Sequence, residues 1–301
     1  MSSHSRKTLL THRLIRLGYI LFGTVLFVGT FGLMWHLVTG LITVLNLKGA
    51  ITSMLNSVPT IHRDMCLRMP LDWLILRPEY FVMRVAGNPL YALIWALIPL
   101  SFIVGPVFCG WLCPAAILEY LSRLMPKKIQ LNFAGKADYI ASVRYGFFIG
   151  YFVAALPIFR GVLGSICCSY CNWTWTEHLW EAVFGDFHGF LYWSTAGLLT
   201  FILWFFILGI FTRHGRGWCA MLCPAGAAMN LAHSLGKRFR RTYKVEVNLN
   251  ACTGCGLCVE ECPMYAITKA SDKVKVSHLL CNACLDCIKI CPVNAISYSK
   301  S

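Results

Sequence analysis

Charged residues are scarce in this chain of 301 residues, and acidic residues are the scarcest of them. Asp, Glu, Lys and Arg make up 13% of the sequence, whereas soluble domains carry about 25%. Four stretches contain none of these residue types: 17–47, 85–118, 145–159 and 187–212. Because 57% of all residues are hydrophobic, the composition argues against a soluble globular protein.

The uncharged stretches instead predict transmembrane helices. A spanning helix needs about 20 mostly apolar residues, and three of the stretches are long enough. The third stretch is shorter, and it spans only if the Arg144 side chain reaches the membrane interface. One apolar window is compatible with a buried helix of a large core, but four in one chain argue against that alternative. We expect a polytopic α-helical membrane protein with spans at about 17–42, 88–108, 139–160 and 189–211.

Basic residues predict how these spans are oriented. They cluster in residues 1–16 and in the segments after the second and fourth spans, whereas 161–187 has no Lys or Arg. Because cytoplasmic loops carry the excess of Lys and Arg, we expect both termini in the cytoplasm and the protein in the inner (cytoplasmic) membrane. Topology and contact with anionic lipid then explain the net charge of +14. Nucleic acid is not an expected partner, because residues 245–301 carry five basic and five acidic side chains.

Cysteine, in contrast, is abundant, with 16 residues. Half of them belong to two strings of the form Cys-x2-Cys-x2-Cys-x3-Cys-Pro. Bacterial ferredoxins bind 4Fe–4S clusters with this spacing, and the fourth cysteine of each string binds the other cluster. The predicted first quartet is Cys252, Cys255, Cys258 and Cys291, and the predicted second quartet is Cys262, Cys281, Cys284 and Cys287. We expect 245–301 to form a cytoplasmic α+β ferredoxin-like domain with two clusters and a short strand at 273–277.

The membrane part, residues 17–244, contains a two-unit internal repeat. A Cys-x3-Cys-Pro motif follows the second span at Cys109 and Cys113, and another follows the fourth span at Cys219 and Cys223, 110 residues later. Two parallel units are related by an axis along the membrane normal, which would bring these four cysteines, the inner quartet, together at the cytoplasmic face. They would hold a third 4Fe–4S cluster or another metal, act as redox-active thiols, or serve structure alone; all three alternatives stay open.

Four spans, two Cys-x3-Cys-Pro motifs and a C-terminal two-cluster ferredoxin together resemble the NapH/MauN-type membrane ferredoxins. The polyferredoxin half of NosR-type regulators is similar. The resemblance covers about residues 15–300, and its matching positions are the inner quartet and the eight ferredoxin cysteines. It implies quinol oxidation, or electron exchange with a quinone pool, and partners that are quinone or quinol and other subunits of a redox complex.

The four remaining cysteines depart from this family pattern. They lie in the outer loops of the two units and form the outer quartet: Cys66, Cys167, Cys168 and Cys171. Four cysteines on one face predict a fourth cluster, which would serve a periplasmic iron–sulfur or cytochrome protein. Disulfide bonds, which an oxidising periplasm favours, and unpaired thiols are the alternatives.

Three functions are compatible with these features. The first, which we predict, is a membrane-bound iron–sulfur electron-transfer subunit that links the quinone pool to a partner redox enzyme, as in a quinol dehydrogenase complex. The second is a maturation factor that reduces a metal or a disulfide in a partner protein. The third is a membrane anchor of a respiratory complex. The sequence singles out no catalytic residue.

Overall fold

The computed structural model describes residues 3–24, 89–155, 195–236 and 242–300, together with single positions at 78, 79, 82, 83 and 179. Within these ranges the chain is mainly helical up to residue 236, and it forms a small α+β domain from residue 243 onward. The outer quartet, and most of the first predicted span, lie outside the described residues.

The helices of the first unit surround its Cys-x3-Cys-Pro motif. They are α1 Ser3–Thr24, α2 Pro89–Val104, α3 Val107–Trp111, a 3₁₀ turn Pro114–Ala116 and α4 Ile117–Arg123. Gly105 separates α2 from α3, because its φ of 76° lies in the left-handed region that favours a residue without Cβ. The motif therefore sits on the short helix α3, which follows a sharp turn at the end of α2.

The second unit repeats this arrangement 110 residues later. Its elements are α5 Ala137–Ala155, α6 Thr195–Phe201, a π-helical continuation Ile202–Ile210, a 3₁₀ turn Arg213–Gly215, α7 Gly217–Met221 and α8 Pro224–Gly236. Helices α3 and α7 start and end at equivalent positions, and Gly215, with a φ of 64°, repeats the turn of Gly105. The internal repeat of the sequence is thus also a repeat of the backbone.

The helices coincide in part with the predicted spans. Helix α2 covers most of 88–108, α5 begins near residue 139, and α6 with its continuation falls within 189–211. Helix α1 runs without a break across the expected boundary at residue 16. None of the helices that the structure describes combines the length and the apolarity needed to cross a bilayer. The four-span architecture stays a prediction.

The C-terminal domain has the two-fold ferredoxin arrangement. Strand β1 Tyr243–Val247 pairs antiparallel with β4 Ile296–Lys300, and β2 Ile267–Ala270 pairs antiparallel with β3 Lys273–Val276. Two short helices, α9 Leu257–Glu260 and α10 Asp286–Ile290, carry the third cysteine of each string. The short strand predicted at 273–277 is confirmed by β3.

The ferredoxin domain shares its core with the helical part. One buried cluster contains Ile140, Trp204 and Trp218 from the helices, and it continues into Tyr265 and Ile290 of the ferredoxin domain. Helix α1 also packs against α10. Burial of apolar side chains is the main stabilising term in folding, so this continuous core fixes the position of the ferredoxin domain on the helices.

Candidate iron–sulfur sites

The first quartet lines one cavity. Cys252, Cys255, Cys258 and Cys291 surround a volume of about 310 Å³ together with apolar residues such as Val274. Cys255 is exposed, whereas Cys258 is buried. The structure therefore brings together the four cysteines predicted for the first cluster, on a side of the domain that solvent reaches.

The second quartet lines a separate cavity of about 330 Å³. Its wall contains all four predicted cysteines, which are Cys262, Cys281, Cys284 and Cys287. Burial raises the pKa of Cys262, Cys281 and Cys284 to about 12. A cluster binds thiolates, so iron has to displace protons from these buried thiols when it binds.

The local backbone explains how the two strings wrap around their cavities. Gly254 and Ala283 occupy matched positions of the strings and both have positive φ, 65° and 52°. Gly256 and Leu285 form a second matched pair, with φ of 77° and 64°. The left-handed residues turn the chain around the cavity before each short helix begins. Glycine adopts that conformation without steric cost, whereas the Cβ atoms of Ala283 and Leu285 make it costly at their positions.

Backbone amides also approach the crossing cysteines. The amide of Ala266 donates to Sγ of Cys262 at 3.3 Å, and the amide of Ala295 donates to Sγ of Cys291 at 3.2 Å. Hydrogen bonds to cluster sulfurs are one of the terms that set a reduction potential. The matched pair of amides shows that both strings are built for the same type of centre.

The inner quartet lines a third cavity, of about 450 Å³, between the two repeat units. In each motif the helix ends just before the second cysteine, whose amide still bonds back to it: the amide of Cys113 donates to Phe108 O at 3.0 Å, and that of Cys223 to Trp218 O at 3.2 Å. Each proline then starts the next helical segment, where its missing N–H costs nothing. The two repeat units thus place four cysteines around one cavity: Cys109, Cys113, Cys219 and Cys223.

Positive charge surrounds this third cavity. Its wall includes the guanidinium groups of Arg144 and Arg216 and the side chain of Asn282, and all three residues are buried. Arg144 Nη2, Arg216 Nη2 and Asn282 Nδ2 have no hydrogen-bond partner among the described residues. Buried donors without a partner are costly. A 4Fe–4S cluster with four thiolate ligands is anionic, and its sulfurs would accept these hydrogen bonds.

Two thiols of the inner quartet, Cys109 and Cys223, have raised pKa values. Burial raises the pKa of Cys109 to about 12, the nearby Cys223 adds to the rise, and the guanidinium of Arg144 opposes it. Burial likewise raises the pKa of Cys223 to about 11. Reactive cysteines have a lowered pKa and are partly exposed, so these cysteines fit a ligand role better than thiol exchange. In the part of the chain that the structure describes, no three His, Cys, Asp or Glu side chains are grouped for a single metal ion.

Arg144 differs from its expected role. We expected its side chain to reach a membrane interface, but it is 1% exposed and its Nη1 donates to Leu279 O of the ferredoxin domain at 3.2 Å. A methyl group at Gly226 would lie 2.5 Å from Arg144 Nη2, so the small residue makes room for the guanidinium. A buried cation needs partners; the Leu279 carbonyl is one of them, and Nη2, which has no partner among the described residues, is left free to donate to a ligand in the third cavity.

A buried ionic network locks the repeat units to the ferredoxin domain. Glu119 accepts hydrogen bonds from Arg16, from Arg123 at 3.1 Å and from Arg216 at 3.1 Å. Arg16 in turn donates to Asp286 at 2.6 Å, the first residue of α10. Burial alone would raise the pKa of Glu119, but these guanidinium groups hold it well below its usual range. Arg16 therefore has a structural role in addition to the topological one that the sequence indicated.

Comparison with known protein families agrees with this arrangement. A family described as a 4Fe-4S dicluster domain matches residues 244–292. A second family, described as a 4Fe-4S binding domain, matches twice, at 88–132 and at 196–242; each match covers the Cys-x3-Cys-Pro motif of one repeat unit and the helix before it. The fold and the cysteine sites therefore define an iron–sulfur electron-transfer protein of the ferredoxin type. No solved structure matches the chain significantly.

Curated relatives carry the same type of name. The chain is 27% identical over 197 residues to the ferredoxin-type protein NapH of Haemophilus influenzae, covering 65% of this chain and 61% of NapH. It is 26% identical to the putative electron transport protein YccM of Escherichia coli, over 57% of this chain and 45% of YccM. It is also 26% identical to the methylamine utilization ferredoxin-type protein MauN of Methylobacillus flagellatus, over 53% of this chain and 48% of MauN. The resemblance to NapH/MauN-type ferredoxins is confirmed, and the matched region spans about half of these relatives' lengths.

Proposed function

We propose that this protein is a multi-pass inner-membrane protein that carries electrons between the quinone pool and a partner redox enzyme. Three cavities, each lined by four cysteines, are the observation on which this proposal rests. The first and second quartets would each hold one 4Fe–4S cluster, and the inner quartet would hold a third. Such clusters accept and release single electrons, which suits an exchange between a two-electron quinol and a chain of one-electron carriers.

The membrane placement rests on the charge-poor stretches and on the distribution of basic residues. The four proposed spans are those predicted from the sequence, with residues 1–16 and the ferredoxin domain, 245–301, on the cytoplasmic side. The motifs Cys109–Cys113 and Cys219–Cys223 follow the second and fourth spans. This topology would put all three quartets at the same face of the membrane. Its support is that the ferredoxin domain packs directly against the helices of the repeat units.

A quinol analogue tests the proposed link to the quinone pool. We expect an added quinol analogue to reduce at least one cluster of the anaerobically purified protein, seen as loss of the broad visible absorption of the clusters. Dithionite, which needs no quinone site, is the matched control for full reduction. Reduction by dithionite but not by the quinol analogue would contradict the link and favour the alternative of a membrane anchor.

The outer quartet is proposed to hold a fourth cluster that exchanges electrons with a periplasmic partner. Its four residues, Cys66, Cys167, Cys168 and Cys171, are placed together by the pseudo-symmetry of the two outer loops in the sequence. Mass spectrometry of the non-reduced, iron-free protein should find all four as free thiols. A disulfide between Cys66 and one of the other three would show that the loops are cross-linked, and the fourth cluster would be ruled out.

A further inference from the structure

The turn between Cys281 and Cys284 is held by the helical part, whereas the described helices donate no hydrogen bond to its two-fold mate, the turn between Cys252 and Cys255. Nε1 of Trp111 donates to Ala283 O at 3.0 Å, and His12 Nε2 lies 2.9 Å from Cys284 O. Nδ2 of Asn230 donates to Cys281 O at 2.7 Å. In the mate turn, the Cys252 carbonyl accepts from Lys273, an exposed side chain of the ferredoxin domain itself. One face of an otherwise symmetric domain is therefore docked against the inner quartet.

Asn282 lies at the centre of this docked turn and faces two cavities. Asn282 lines both the second cavity and the third cavity, which the inner quartet also lines. It is 2% exposed, and its Nδ2 has no partner among the residues that the structure describes. In the sequence it stands between the second-quartet ligands Cys281 and Cys284. Among the described residues, Met264 is the other one that lines both cavities, and its side chain carries no hydrogen-bond donor.

The backbone approach at this point is unusually close. A methyl group at Gly110, inside the first Cys-x3-Cys-Pro motif, would lie 2.5 Å from Asn282 O and 3.4 Å from Cys284 Cα. Only glycine permits that contact without a shift of either segment. The first Cys-x3-Cys-Pro motif and the turn between Cys281 and Cys284 are thus in direct contact, next to Cys109 on one side and Cys284 on the other.

We propose that Asn282 is a positioning residue that couples the inner-quartet centre to the second quartet. Its side-chain amide donates a hydrogen bond to the inner cluster, while its backbone holds the second quartet against Gly110. Electron exchange between the inner centre and the ferredoxin domain passes at this contact. One electron leaves one centre and reduces the other, and no bond forms or breaks. The first quartet, with Cys255 exposed, is then the end of the chain that a partner reaches. This inference rests on the third cluster of the proposed function.

The test compares Asn282→Leu with Thr253→Val in the full-length, cluster-loaded protein. Leu keeps most of the volume but removes the donor, and Thr253 is the matched position of the first string, lining the first cavity. Hydrogen bonds to sulfur help to set the potential. We therefore expect the midpoint potential of the inner-quartet centre, measured by an EPR-monitored titration, to become more negative in Asn282→Leu. It should be unchanged in Thr253→Val. An unchanged inner potential in Asn282→Leu would overturn the proposal.

A second measurement needs no variant of the docked turn. In fully reduced wild-type protein, pulsed EPR should show the inner-quartet centre coupled more strongly to one ferredoxin cluster than to the other. Gly110→Ala should weaken that coupling, whereas Gly150→Ala, which adds the same methyl group where nothing lies within 4 Å, should not. Equal coupling to both ferredoxin clusters would contradict the inference. If the wild-type protein contained only about eight irons, there would be no third cluster, and that result would contradict the proposed function as well as this inference.

Discussion

Replacing Glu119 by Gln should lower the free energy of unfolding by about 3–5 kcal/mol, the cost of breaking a buried ion pair by removing one partner. Glu119 is fully buried, and it is the shared acceptor of Arg16, Arg123 and Arg216. Gln has almost the same size but no charge, so Arg216 would remain buried without the carboxylate that pairs with it, and Arg16 would keep only Asp286. The pKa of Glu119 is held well below its usual range, so the wild-type carboxylate stays ionised and the loss is present at any neutral pH.

Thermal unfolding in detergent measures this effect. For a chain of this size we expect the midpoint of Glu119→Gln to fall by roughly 10 °C. Glu260→Gln is the matched control, because Glu260 pairs with Arg213 but neither side chain is buried, with 49% and 18% exposed. An exposed pair contributes at most about 1 kcal/mol, so the control should shift little. Equal shifts in both variants would show that the buried network does not hold the helices to the ferredoxin domain.

Replacing Cys113 or Cys223, the second cysteine of each Cys-x3-Cys-Pro motif, should remove a whole iron–sulfur centre. Cys113→Ser and Cys223→Ser are each expected to lose about four irons per chain and the same EPR signal, because one cluster needs four ligands. The double variant should be no worse than either single variant, since both act on one site. The two cysteines come from different repeat units, so identical losses would show that the units build one shared site.

The control for the inner quartet is Met229→Leu. Met229 lines the same cavity, and its Sδ lies 3.6 Å from Sγ of Cys109. Exchange of Met for Leu conserves volume and removes only the thioether, so it should leave the iron content unchanged. Two different lost signals in Cys113→Ser and Cys223→Ser, with additive iron losses, would contradict a shared centre.

The sequence predicted the groups of cysteines because their spacing is local and chemically restrictive. The crossed pairing of Cys262 and Cys291 follows from the ferredoxin pattern, and the cavities contain those sets. The convergence of the inner quartet followed from a repeat of 110 residues, which implies a pseudo-symmetry axis. Both inferences needed only intervals along the chain.

The charged residues around these sites were much harder to predict. Arg16 pairs with Glu119 and Asp286, which lie 103 and 270 residues away. No local period marks such partners, so the basic residues of segment 1–16 were interpreted only as a topology signal. The role of Arg144 at the inner cavity was missed for the same reason. Its one sequence signal was a single cation inside a predicted span, a position that is costly unless the cation has a partner.

Iron and acid-labile sulfide per polypeptide, measured on anaerobically purified full-length protein, test the central claim most directly. Three clusters in the first, second and inner quartets predict about 12 irons and 12 sulfides per chain, and a fourth cluster at the outer quartet raises both values to about 16. A value of about eight in the wild-type protein, unchanged in Cys113→Ser, would show that only the ferredoxin domain binds clusters, and it would contradict the three-centre account.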